Sequence, residues 1–308
     1  MKSIMYHYVQ KYNEKSPFFK FLDFENFKKQ LDFFDKKFGF VDKECFINSF
    51  QNKKIPQGVI LTFDDGLKCH YEYVYKELKK RNLWGIFYVS TSPLVSKTIL
   101  DVHMIHILLG KVNDKDLFFS LKGLMNNLIA DEKINNDFKK LTYKTQKNSN
   151  YTLFIKRALN YFVPYSKKKE ILNSLFDEFS LDVRSISKNY YMNIKEIKEM
   201  HDNEMIIGSH THDHPVMSRL NYKDQKFQIE SSFNFLKNHL GKLKVKTFCY
   251  PYGGFHSFNS DTKKLLKKNK CVFSFNVEQR DILQEDIEIR ANELPRFDCN
   301  QFRHGKIS

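Results

Sequence analysis

Three short clusters of residues could do chemistry. In Thr62-Phe63-Asp64-Asp65-Gly66 two carboxylates stand side by side, followed by a glycine that permits a tight turn. Adjacent carboxylates repel each other unless a cation lies close by. A plain Asp-Asp-Gly turn is the other way to read the same five residues. The second cluster, His210-Thr211-His212-Asp213-His214-Pro215, packs three of the chain's 11 histidines into five positions. Two imidazoles and one carboxylate make a nitrogen–oxygen donor set suited to Zn²⁺ or a similar divalent ion, with positions left over for water. The third cluster, Tyr250-Pro251-Tyr252-Gly253-Gly254, reads by itself only as a rigid turn.

Each cluster follows an apolar run. Gly58–Phe63, Glu204–Gly208 and Lys244–Phe248 have the length and composition of strands buried on both faces, as in a parallel sheet. Further strands are expected at Trp84–Val89 and Cys271–Val277, and the chain from Ser3 to His7 reads as a first strand. Helices are expected between them, over Tyr71–Arg81, Ile194–His201, Tyr222–Leu240 and Thr262–Lys268. The third of these repeats Ile229, Phe233, Leu236 and Leu240 along one face and meets Gly241 as a stop. Strands alternating with helices indicate a parallel α/β fold, in which ligands gather at the carboxyl ends of the strands. All three polar clusters lie at such ends. From about 97 to 190 the chain is instead rich in Lys and Asn and reads as helical. Leu117, Leu121, Leu124 and Leu128 recur at helical spacing, as do Ile171, Leu172, Leu175, Phe176 and Phe179. The expected organisation is one barrel domain over 1–308 with a helical insertion after the second strand, Trp84–Val89.

The 308 residues carry a net charge of +15, which attracts anions of several classes. No nucleic-acid-binding motif accompanies the charge, so a solvated basic surface is expected and no nucleic-acid partner. No apolar run approaches the ~18 residues of a membrane span. The start of the chain lacks the apolar core of a signal segment. Five cysteines without CxxC spacing argue for reduced thiols, and the expected location is cytoplasmic.

Taken together and in this order, the motifs TFDDG, HTxxHP (His210-Thr211, then His214-Pro215) and YPYG resemble the polysaccharide deacetylases, the NodB-homology or carbohydrate esterase 4 family. The resemblance covers most of the chain outside the helical insertion. It implies a distorted (β/α)7-type barrel. It also implies Asp64 as general base, Asp65, His210 and His214 as ligands of a divalent metal ion, Zn²⁺ foremost, and Tyr252 as a backbone N–H donor to the oxyanion. Thr211 would support the loop, and His212 falls outside the ligand pair. Such an ion is a Lewis acid for the acyl carbonyl and lowers the pKa of water.

Two parts of the pattern are missing. The arginine that the family often places shortly before the third-motif proline is absent, and Arg296 could supply that charge from a later strand. The late Leu-x-His motif that carries the general acid is absent too. His7 ends the first strand, and His103 opens the insertion three residues before His106 on a helical face. Both are candidates for the acid.

The function expected is a hydrolase that removes an N-acyl group, acetyl foremost, from an amino sugar or glycan precursor, with the basic charge suiting an anionic substrate. Deformylation and O-deacetylation are close chemical alternatives. A glycan-binding protein that has lost turnover is a different class, which the missing late histidine favours and the intact Asp64 opposes. A basic nucleic-acid-binding protein is the third class, and it predicts steep salt dependence and no metal requirement.

Overall fold

A computed structural model of the chain describes residues 1–125, 136, 139–140, 142–143 and 148–307. They divide into two compact units. One comprises Met1–Lys11, Phe21–Ser96 and Asn189–Ser308, the other Tyr12–Lys20 and Lys97–Lys188.

The first unit is built on parallel strands. In chain order these are β1 (Lys2–Tyr6), a short pair β2 (Val9–Gln10) and β3 (Leu22–Asp23), then β4 (Val59–Phe63), β5 (Ile86–Val89), β6 (Ile206–Ser209), β7 (Thr247–Cys249), β8 (Phe273–Phe275) and β9 (Phe297–Asp298). Seven of them form one sheet, in the order β8-β7-β6-β5-β4-β1-β9, with every pairing parallel. β5, the strand before the helical segment, is therefore third in chain order within this sheet. Leu294 bridges to Phe275 of β8, and Phe297–Asp298 pairs with β1. The segment from 294 to 298 is thus the stave that links the two edges of the sheet. The result is the expected distorted (β/α)7 barrel.

Period-two alternation divides the side chains between two cores. Ile60, Ile86, Tyr88 and Ile206 pack with Cys249, Phe273 and Phe275. Leu61, Phe63, Phe87, Val89 and Ile207 turn the other way, against Phe27, Leu31, Val74, Leu78, Ile197, Met200 and Leu236 of the surrounding helices. Because both faces are covered, the strands read as unbroken apolar runs.

The helix Tyr222–Leu240 has the expected bounds. Asn221 caps its N-terminus, and Gly241 ends it at φ 74°. The helix Ile194–Asp202 opens on an Asn193–Glu196 capping box. The stretch expected as a helix over Tyr71–Arg81 is different. It begins as a π-helical turn, His70–Tyr75, and continues as the α-helix Lys76–Lys80. Apolar spacing does not reveal such a widening, because Val74 and Leu78 still fall on the buried side.

The second unit is helical among its described residues, with helices Asp101–Lys111, Asp114–Met125, Asn150–Arg157 and Tyr165–Glu178. Leu117, Leu121, Ile171, Leu172, Leu175 and Phe176 are buried, and Leu124 and Phe179 are half-buried. Leu128 lies outside the described residues.

Candidate metal centre and active site

The three sequence clusters meet at the carboxyl ends of β4, β6 and β7. The β4 end turns sharply, with Asp65 at φ 82° and Gly66 at φ 68°. The histidine loop has Thr211 at φ 67° and His214 at φ 58°, and Tyr252 stands at φ 63°. Four non-glycine residues in the left-handed region at one site is backbone strain concentrated where positioning matters.

Neighbouring groups hold the histidine loop in this shape. Thr211 Oγ1 accepts the His214 N–H at 2.9 Å and donates to the His210 carbonyl. Gln228, from the helix Tyr222–Leu240, accepts the N–H groups of His212 and Asp213 at 3.1 and 2.8 Å, and its amide donates to the Asp213 carboxylate at 2.8 Å. From the loop after β5, Ser90 Oγ donates to the His210 carbonyl, and the Ser92 N–H donates to that of His212. His212 itself turns towards Thr91 Oγ1, 2.8 Å away, and the ring of Phe227. It lies outside the central group, as the motif comparison implied.

At the centre, Asp65 Oδ1 is 3.3 Å from His210 Nε2 and 3.4 Å from His214 Nε2. All three side chains are buried, and their ligand atoms lie within 4.8 Å of one another. The His210 Nδ1 is 2.8 Å from the Cys249 carbonyl, which can only accept, so Nδ1 carries a proton and Nε2 is the nitrogen turned towards Asp65. This is the usual way in which a protein orients an imidazole for a metal. Asp64, His210 and Cys249 form a second conceivable donor group. Asp64, however, has both oxygens engaged by an arginine, so the Asp65–His210–His214 set is the one with the right chemistry.

That arginine is Arg296, 1 % exposed. Its Nη1 and Nη2 each donate to one oxygen of Asp64 at 2.8 Å. Nη1 also donates to Thr62 Oγ1 at 3.1 Å, and Nε to the Asn276 carbonyl at 3.1 Å. Burial pushes the Asp64 carboxyl up, but Arg296, with His210 and His7, more than offsets it and holds the pKa at about 2. Burial likewise opposes a charge on His210, yet Cys249, Asp65 and Asp64 hold its pKa well above the usual histidine range. Asp64 is matched by Arg296 and Asp65 by the charged His210, and a cation held by Asp65 and the two imidazoles would take the place of the His210 proton.

Tyr252 packs its ring 5.0 Å from that of His214. Gly253, at φ 67°, has no room for a Cβ against Val277, so its glycine shapes the loop that carries Tyr252. His7 follows β1 directly. Because Tyr6 pairs with Phe63, His7 stands level with Asp64, whose N–H donates to the Tyr6 carbonyl at 3.0 Å. His103 is a buried residue of the helix Asp101–Lys111 in the second unit, its ring 6.0 Å from that of His106.

Sequence reasoning passed over Gln228 and His70. Gln228 falls on the buried side of its helix, and a glutamine there is a signal of a polar task.

Residues 181–273 match the family model described as polysaccharide deacetylase. That segment contains His210, His214 and Tyr252, while Asp64 and Asp65 join it through the fold. The resemblance drawn from the motifs is borne out. No curated protein matches the chain in sequence. Among solved structures, the deacetylase PplD of Streptococcus pyogenes, in complex with acetate, aligns at TM-score 0.59 and 14% identity, over 97% of this chain and 91% of that one. A de-N-acetylase from Aggregatibacter actinomycetemcomitans aligns at 0.53 and 15% identity, over 96% and 93%. IcaB from Ammonifex degensii aligns at 0.50 and 18% identity, over 89% and 82%. At these identities the likeness is one of fold.

Proposed function

We propose that this protein is a metal-dependent hydrolase that removes an N-acyl group, acetyl foremost, from an amino sugar of a glycan or glycan precursor. The observation that carries this reading is the single carboxylate oxygen of Asp65 set within 3.4 Å of two imidazole Nε2 atoms, beside a second carboxylate clamped by Arg296. The net charge of +15 suits a substrate bearing phosphate or carboxylate.

Asp65, His210 and His214 would hold a divalent ion, Zn²⁺ foremost. When bound, the ion supplies Lewis acidity to the acyl carbonyl and acidifies water. Asp64 receives the proton of the attacking water. A carboxyl held at about 2 is ionised throughout the physiological range but is a weak base, so Asp64 contributes through position more than through basicity. Arg296 fixes the plane of that carboxylate by binding both oxygens. The backbone N–H of Tyr252 would donate to the developing oxyanion. The departing amine needs a proton, and we assign its donor to His7, which stands level with Asp64 at the end of β1, rather than to His103.

The test is to purify the protein, quantify bound metal, and screen N-acetylated, N-formylated and O-acetylated sugars for released acid, with Asp64→Asn as the control. Metal binding with turnover lost in Asp64→Asn supports the reading. Metal-replete protein that releases no acid from any of these substrates would overturn it in favour of a glycan-binding role.

A further inference from the structure

We infer that His70 is a positioning residue for the proton donor, its ring N–H holding the backbone carbonyl of His7. This rests on His7 being the donor. The His70 Nε2 is 2.7 Å from the His7 carbonyl oxygen. A carbonyl can only accept, so Nε2 carries the proton. His70 is fully buried, its ring 5.7 Å from that of Phe63 and 6.0 Å from that of Phe87. It is the first residue of the π-helical turn His70–Tyr75, the one place where the helix after the Asp64-Asp65-Gly66 turn departs from α geometry. Single π-turns are rare and recur at functional sites, because the extra residue re-aims a side chain.

The physical need is clear. β1 ends at Tyr6, so His7 no longer belongs to the ladder that fixes its neighbours. Its backbone is held by what the surrounding structure supplies, and a misplacement of ~1 Å at a reacting group costs roughly 100-fold in rate. As the C–N bond breaks, the electron pair leaves with nitrogen, which takes the proton from His7. A phenylmethyl side chain would fill the space of His70 without its donor. A generic packing position, by contrast, has no use for a polar ring between two phenylalanines.

The prediction concerns leaving-group dependence. An amide needs its amine protonated, whereas an activated aryl ester such as p-nitrophenyl acetate leaves without help. In His70→Phe, kcat on an N-acetylated amino-sugar oligomer should fall roughly 10- to 100-fold. KM, metal content and the aryl-ester rate should stay within about two-fold of the parent, and His70→Gln, which restores a donor, should recover most of the amide rate. His70→Met, flexible and also without a donor, serves the same comparison if His70→Phe does not fold. His7→Gln is the reference. If it shows no preference for the ester, the donor assignment itself fails. If it does show one, while His70→Phe and His70→Met keep the amide rate or lose amide and ester turnover alike, the role of His70 fails alone.

Discussion

Arg296 donates one hydrogen bond to each oxygen of Asp64, both at 2.8 Å, from a position 232 residues further along the chain. Both side chains are buried to within a few per cent. A planar fork meeting a planar carboxylate fixes orientation as well as charge, which a lysine cannot do.

Removal of one partner should therefore cost far more than the pair contributes. Arg296→Met leaves an uncompensated buried carboxylate and should lower unfolding stability by about 3–5 kcal/mol. Arg296→Met combined with Asp64→Asn should lose less than the sum of the two single changes, because no charge is then stranded. Chemical denaturation of the four proteins measures this, and strict additivity would refute the coupling.

Metal removal should lower the melting temperature as well as the activity. An ion at 100 times its Kd stabilises the folded state by about 2.7 kcal/mol. Titrating Zn²⁺ into chelator-treated protein should raise Tm, and Asp65→Asn or His214→Ala should abolish most of that rise. An equal rise in the variants would place the ion elsewhere.

Gln228 should matter for metal affinity without touching the ion. Gln228→Leu removes the acceptor for two loop N–H groups and the donor to Asp213. Loss of such supporting bonds typically weakens binding roughly 10- to 100-fold. Competition with a chromogenic chelator reads this out, and the Tm in the absence of metal separates it from general unfolding.

His70 should make the protein sensitive to acid. Burial depresses its pKa to about 4, against the hydrogen bond to His7 and the charges of Asp65 and Asp64, which raise it. The unfolded chain then binds a proton that the native state refuses between about pH 6.5 and 4. The stability due to the neutral ring is complete above 6.5 and falls as pH drops towards 4, by about 3 kcal/mol. The difference in unfolding free energy between the parent and His70→Gln should shrink over that window. A difference that stays flat from pH 7 to 4 would mean that His70 does not titrate there.

The local parts of this protein were legible because they are local. Asp64 and Asp65 share one turn, His210 and His214 share one loop, and each group follows a strand whose apolar run is visible without a fold. Burial on both faces keeps such runs unbroken, and the helix Tyr222–Leu240 announces itself through its period and its glycine stop. What the residues themselves left open was whether the clusters meet, and with which partners. Arg296 stands in none of the three motifs, and only the stave from 294 to 298, bonded to β8 at one end and β1 at the other, brings it to the carboxylate. Gln228 and His70 carried no motif. Their tasks arise from contacts across 15 and 63 residues. Sequence by itself determined which chemical groups this chain has and the strand ends that present them. Tertiary structure decided which of them are buried against each other, since hydrogen bonds and charge pairs reach only a few ångströms and the closing of the barrel sets who lies within that range.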